Sequence, residues 1–179
     1  MERISYRVAF GGIISAFCLL CMFLTGVFPL LYLTLPMVCG VLLLIVAEEV
    51  DLKWAWLTYT AVGLLSLFVT YDKEAALIFI MFFGLYPLLR NYLNRIRLTC
   101  LRILIKLILF NADMYAYFYI NVHIFGLTDL LESFEDFGKY GGILLLIILN
   151  PFFLMYDVAL GGMCEFYRLS LKPRITGKR

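Results

Sequence analysis

From Val8 to Ala47 the chain runs for forty residues without one Asp, Glu, Lys or Arg. No other feature limits the fold so sharply. About 20 apolar residues, rising about 1.5 Å each, cross the hydrocarbon layer of a bilayer as a helix, so this stretch alone has the length of two spans. A soluble core cannot absorb it, because a domain of this size leaves much of its surface in water. Composition agrees: 64% of the 179 residues are hydrophobic and 16% charged, against about 25% charged in soluble domains. Soluble enzymes, disordered chains, nucleic-acid binders and disulfide-rich secreted domains are excluded on these grounds, and a multi-pass cell-membrane protein embedded in the lipid bilayer is expected. Arg3 and Arg7 precede the first apolar run as in a signal peptide. That run continues to Phe28, longer than an h-region, with no small-residue cleavage site behind it, so it is predicted to remain as a helix.

The fold class expected is all-α, a bundle of six transmembrane helices forming one integral membrane domain over residues 1–179. The spans are predicted at Val8–Phe28, Leu31–Ala47, Trp54–Thr70, Ala75–Leu89 (extending past Pro87 to Tyr92), Thr99–Gly126 and Gly142–Tyr167. Phe28-Pro29 closes the first, since the residue before proline avoids helix. Glu48-Glu49 close the second, and Asp72-Lys73-Glu74 make a short turn before the fourth. Pro151 is expected to kink the sixth. No ten-residue alternation of the kind a membrane β-barrel needs is present. An inside N-terminus leaves only Lys73 and Lys139 of the basic residues outside. The positive-inside rule therefore puts both termini in the cytoplasm and the Thr128–Tyr140 loop outside. The basic tail Arg168–Arg179 reads as solvated or facing lipid phosphates.

Ionisable groups inside apolar helices are functional candidates, because burying them is costly. On the fifth helix Arg102, Lys106 and Asp113 fall within roughly 40° of one another, and on the sixth Asn150, Asp157 and Gly161 share one stripe. An intramembrane ion pair is expected among Arg102, Lys106, Asp113 and Asp157. Towards the outer end, Tyr119, Asn121 and the only histidine, His123, come together with Tyr32, Thr34 and Asn150 at similar depth. They form a candidate lining for a small, polar, partly aromatic ligand. Asn121 and His123 point roughly 160° apart, so one of the two lines the pocket, and Asn121 is favoured.

Gly11 with Ser15, and Gly12 with Ala16, make small-xxx-small pairs on the first helix, where another helix can approach closely. Glu48, Glu49 and Asp51 are expected to form a solvated turn. Cys18 and Cys21 have CxxC spacing, but in a mid-membrane helix they read as small apolar fillers. One histidine cannot build a multi-histidine metal site. Nucleophile-elbow, zinc-protease and phosphate-loop signatures are missing. No metal, cofactor or enzymatic activity is expected.

A helix beginning Arg-Val-Ala-Phe-Gly-Gly-Ile-Ile-Ser-Ala at Arg7, then Phe28-Pro29, then Leu35-Pro36 leading into Gly40 and an apolar run, resembles the substrate-binding S component of energy-coupling factor transporters. Six predicted helices in fewer than 200 residues, with both termini inside, resemble it too. The resemblance implies binding of a vitamin or similar micronutrient near the outer face. It also implies a first-helix face, here Gly11, Gly12, Ser15 and Ala16, that docks on a transmembrane coupling subunit driven by an ATPase pair. Two other classes fit the same residues. A non-transport membrane scaffold would use the glycine face and the basic inner loops, and a small proton-coupled transporter would use Asp113 and Asp157.

Overall fold

A computed structural model describes residues 2–121, 123 and 141–172, and among these every regular element is helical. In chain order α1 spans Glu2–Thr25, α2 Thr34–Glu49, α3 Leu52–Val69, α4 Lys73–Ile78, α5 Leu85–Leu93, α6 Thr99–Ile120 and α7 Gly141–Phe166. A wide, π-type turn at Phe79–Phe83 carries α4 into α5, and another at Tyr167–Leu171 prolongs α7. Among the described residues five stretches are long and apolar enough to cross a membrane: Ile4–Thr25, Leu52–Val69, Lys73–Leu93, Thr99–Ile120 and Leu145–Ser170.

The expected second span falls short of that length. Pro29 opens a single tight turn, Pro29–Leu31, and helix resumes only at Thr34. This leaves α2 with 16 residues, about 24 Å of helix against a hydrocarbon core of about 30 Å. α7 runs through Pro151 without interruption. The expected Thr128–Tyr140 loop, the end of the fifth span at Gly126 and the tail beyond Lys172 lie outside the described residues.

The chain divides into two compact units, Met1–Tyr92 with Gly162–Arg179, and Leu93–Gly161. In the first, α1 packs on α2 and α3. The approach to α3 is close because both faces are small. Gly11 is buried, and a Cβ there would lie 3.5 Å from Thr58 Oγ1, while α3 buries Ala55, Thr58, Val62, Gly63 and Ser66 at helical spacing. Towards α2 the contact is made by thiols. Cys39 Sγ lies 3.5 Å from the Cys18 carbonyl and Cys18 Sγ 4.0 Å from the Cys39 carbonyl. Both cysteines are free and buried, as filler residues are.

Three local devices shape the α3–α5 hairpin. The Asp72 carboxylate accepts from the Glu74 and Ala75 backbone amides at 3.0 and 3.1 Å, capping α4 in the standard way. Lys73 Nζ turns back to donate to the Leu67 and Thr70 carbonyls, groups that a helix end leaves without partners. Pro87 has no N–H to give the carbonyl four residues earlier, and the wide turn sits just before it. There the Ile80 carbonyl accepts a 2.6 Å hydrogen bond from Tyr59 Oη. Gly84 allows this approach: a Cβ at that position would lie 2.7 Å from the Tyr59 ring.

The second unit is an antiparallel pairing of α6 with the part of α7 up to Gly161. Phe110 stacks on Phe153 with centroids 4.5 Å apart. Lys106, Phe110, Met114 and Tyr117 form the buried face of α6. The opposite side is apolar and exposed, at Leu101, Leu104, Ile108, Tyr115 and Tyr119.

Candidate functional site

The α6–α7 pair carries a ladder of polar contacts inside apolar helices. Lys106 Nζ donates to both oxygens of Asp157, at 2.9 and 2.7 Å, with side chains only 4% and 17% exposed. One turn along, Asn111 and Asn150 exchange hydrogen bonds at 3.0 and 3.2 Å. Each amide also donates to the carbonyl four residues back, Leu107 and Leu146 respectively. Five residues up α6 pair with seven down α7, so the two helices run antiparallel, and Phe110–Phe153 lies between the two pairs.

Of the four charged residues expected in one network, the structure pairs Lys106 with Asp157. Asp113 is half-buried, and its Oδ2 has no hydrogen-bond partner among the described residues. Two turns beyond it, Asn121 is only 4% exposed. Its Nδ2 donates to the Tyr117 carbonyl, and its Oδ1 also lacks a partner. The buried side of α6 therefore presents two acceptor oxygens with no donor among the described residues. Leaving such an atom buried costs about 1–3 kcal/mol, more when it carries charge.

The expected ligand lining divides. His123 is exposed, stacks on Tyr119 at 4.3 Å and has Nδ1 3.1 Å from the Tyr119 carbonyl. It and Tyr119 face outward, while Asn121 faces inward. Asn150 is level with Asn111, ten residues before Asn121, so about 15 Å of helix separates it from Asn121. The two do not share a depth. The error lies in counting depth from element ends: α7 begins at Gly141, and the pairing register sets the level. Tyr32 and Thr34 belong to the other unit. Tyr32 is half-buried before α2, and Thr34 opens that helix exposed. Asn111 was missed. It shows in sequence as an amide in an otherwise apolar run, but only the register gives it a partner.

The four small residues of α1 also separate. Gly11 faces α3, and the half-buried Ser15 donates to the Gly11 carbonyl at 2.8 Å. Gly12 and Ala16 are exposed, and a Cβ on Gly12 would meet nothing within 4 Å.

At the far end of α2 the acidic turn is not simply solvated. Glu48 accepts from Arg168 Nε and Nη2 at 2.8 and 2.6 Å and from Cys164 Sγ at 3.4 Å. Lys172 Nζ donates to the Glu48 carbonyl and lies 3.6 Å from Glu49. Arg168 and Lys172, read from sequence as solvated or lipid-facing, are thus tied to α2. The guanidinium beside Glu48, at the end of the α2 apolar run, holds its carboxyl below the usual glutamate range. Among the described residues no group of three or more His, Cys, Asp or Glu is placed to hold a metal ion. No family model matches the chain, and neither the curated proteins nor the solved structures contain a match to it.

Proposed function

We propose that the protein is a multi-pass membrane subunit, not an enzyme, that binds a small micronutrient and passes it to a separate ATP-driven coupling module, in the manner of an S component. The observation that carries this reading is the pair of acceptors on the buried side of α6, Asp113 Oδ2 and Asn121 Oδ1, that have no partner among the described residues. Oxygens in that state are satisfied by a ligand bearing N–H or O–H donors. The open Gly12–Ala16 face supports the docking half of the proposal. Six spans are part of it: α2, at 16 residues, crosses with help from the turn before it and from local thinning of the bilayer. Both termini are then cytoplasmic, and labelling of a cysteine placed at residue 133 from outside intact cells tests that orientation.

The deciding experiment is mass spectrometry of small molecules released from purified protein, followed by binding measurements on variants. Asn121→Ala and Asp113→Asn should each weaken binding of the released molecule at least about tenfold, the equivalent of one hydrogen bond to a buried acceptor. Unchanged affinity in both removes the α6 site. Asn150→Ala should instead reduce stability, because it strands Asn111. A proton-coupled transporter is favoured by Asp113 alone, as Asp157 is engaged by Lys106. It requires uptake driven by a pH gradient and abolished in Asp113→Asn.

A further inference from the structure

We propose that the cleft between α2 and the end of α7 is a binding site for an anionic phospholipid. It rests on the membrane placement proposed above but not on any micronutrient site. The cleft has a volume of about 100 Å³ and is lined by Val41, Leu44, Ile45 and Glu48 of α2 and by Met163, Cys164, Phe166 and Tyr167. Its walls are aliphatic and aromatic, which suits a stretch of acyl chain. Such walls do not tell one acyl chain from another, so selectivity must come from the headgroup.

The charges at the mouth are layered. Glu48 and Glu49 lie beneath, their side chains 14% and 6% exposed, while Arg168 and Lys172 lie above them at 59% and 39%. A headgroup approaching from solvent meets cations first. Arg168 gives only Nε and Nη2 to Glu48, and its other terminal nitrogen can donate to a phosphate. Glu165, exposed one turn earlier, is the opposing charge. Beyond Lys172 the sequence adds Arg174, Lys178 and Arg179 and no acid. Under the proposed orientation this is the cytoplasmic leaflet, where anionic lipids concentrate basic segments. The carboxylates hold Arg168 and Lys172 at the cleft edge, and the lipid phosphate accepts from the Arg168 nitrogen that Glu48 does not engage.

The full chain in detergent is titrated with phosphatidylglycerol and, separately, phosphatidylcholine of the same acyl composition, and bound lipids are counted by native mass spectrometry. Phosphatidylglycerol should bind several-fold more tightly. Each surface cation is worth about fivefold, so Arg168→Gln should cut the preference by about that factor. Glu48→Gln separates the lipid site from a purely structural latch. It frees Arg168 and raises the preference for phosphatidylglycerol, whereas a latch would only loosen. Met163→Trp adds bulk at an exposed wall position and should lower retention of both lipids with helix content unchanged. Equal binding of the two lipids overturns the proposal. So does a preference that falls in Glu48→Gln, or one that stays unchanged in Arg168→Gln.

Discussion

Replacing Asp157 with alanine should be among the most damaging single changes in the second unit. Lys106 Nζ lies 2.7 Å from Asp157 Oδ2. At an effective dielectric near 20, Coulomb attraction at that distance is roughly 6 kcal/mol, and desolvation of the two groups offsets most of it. The pair therefore adds little net stability, but its halves are not separable. With Asp157 gone, an ammonium 4% exposed keeps its burial without its counter-charge, a situation that costs about 3–5 kcal/mol. The expected destabilisation is therefore about 3–4 kcal/mol. Lys106→Leu takes the counter-charge from the carboxylate and should cost a similar amount. The double variant Asp157→Ala with Lys106→Leu removes both charges, so it should recover at least about 2 kcal/mol of the summed losses. Unfolding in mixed micelles by added dodecyl sulfate, followed by circular dichroism, measures all four corners of the cycle. Losses that add within about 0.5 kcal/mol would show that the two groups act independently, and the reasoning would fail.

Gly84→Ala puts a methyl 2.7 Å from the Tyr59 ring, so it should cost about 1–3 kcal/mol in the same assay. Gly12→Ala, with open space around it, should be neutral or gain up to about 1 kcal/mol; equal effects would refute the assignment of inward and outward faces. Asp72→Ala removes the α4 cap and should cost about 1 kcal/mol, checked by the same unfolding midpoint. Acid should loosen the α2–α7 end: a carboxyl held below its unfolded value stabilises fully above that value, and the contribution is lost as pH falls through the folded one. Between about pH 5 and pH 3 the wild type should lose more stability than Glu48→Gln, and parallel profiles would count against the Glu48–Arg168 link.

Charge-free runs and their breaks made the helical class legible in sequence, because a helix closes its own backbone hydrogen bonds and its length follows from the residue count. A break between the third and fourth spans was legible for the same local reason, although it falls at 70–72 and Lys73 and Glu74 already belong to α4; so was the split of Asn121 from His123, since 100° per residue fixes which side chains share a face. Lys106 and Asp157 could be placed on facing stripes, yet the sequence left four charged residues in several combinations. The choice of Lys106 with Asp157, and of Asn111 with Asn150, depends on how far one helix slides along the other, and no single helix encodes that. Packing decided it, with Phe110 on Phe153 setting the level at which the amides meet. The Glu48–Arg168 contact joins residues 120 apart. Only the folded chain brings them together, which is why the acidic turn and the basic tail each looked solvated when considered alone.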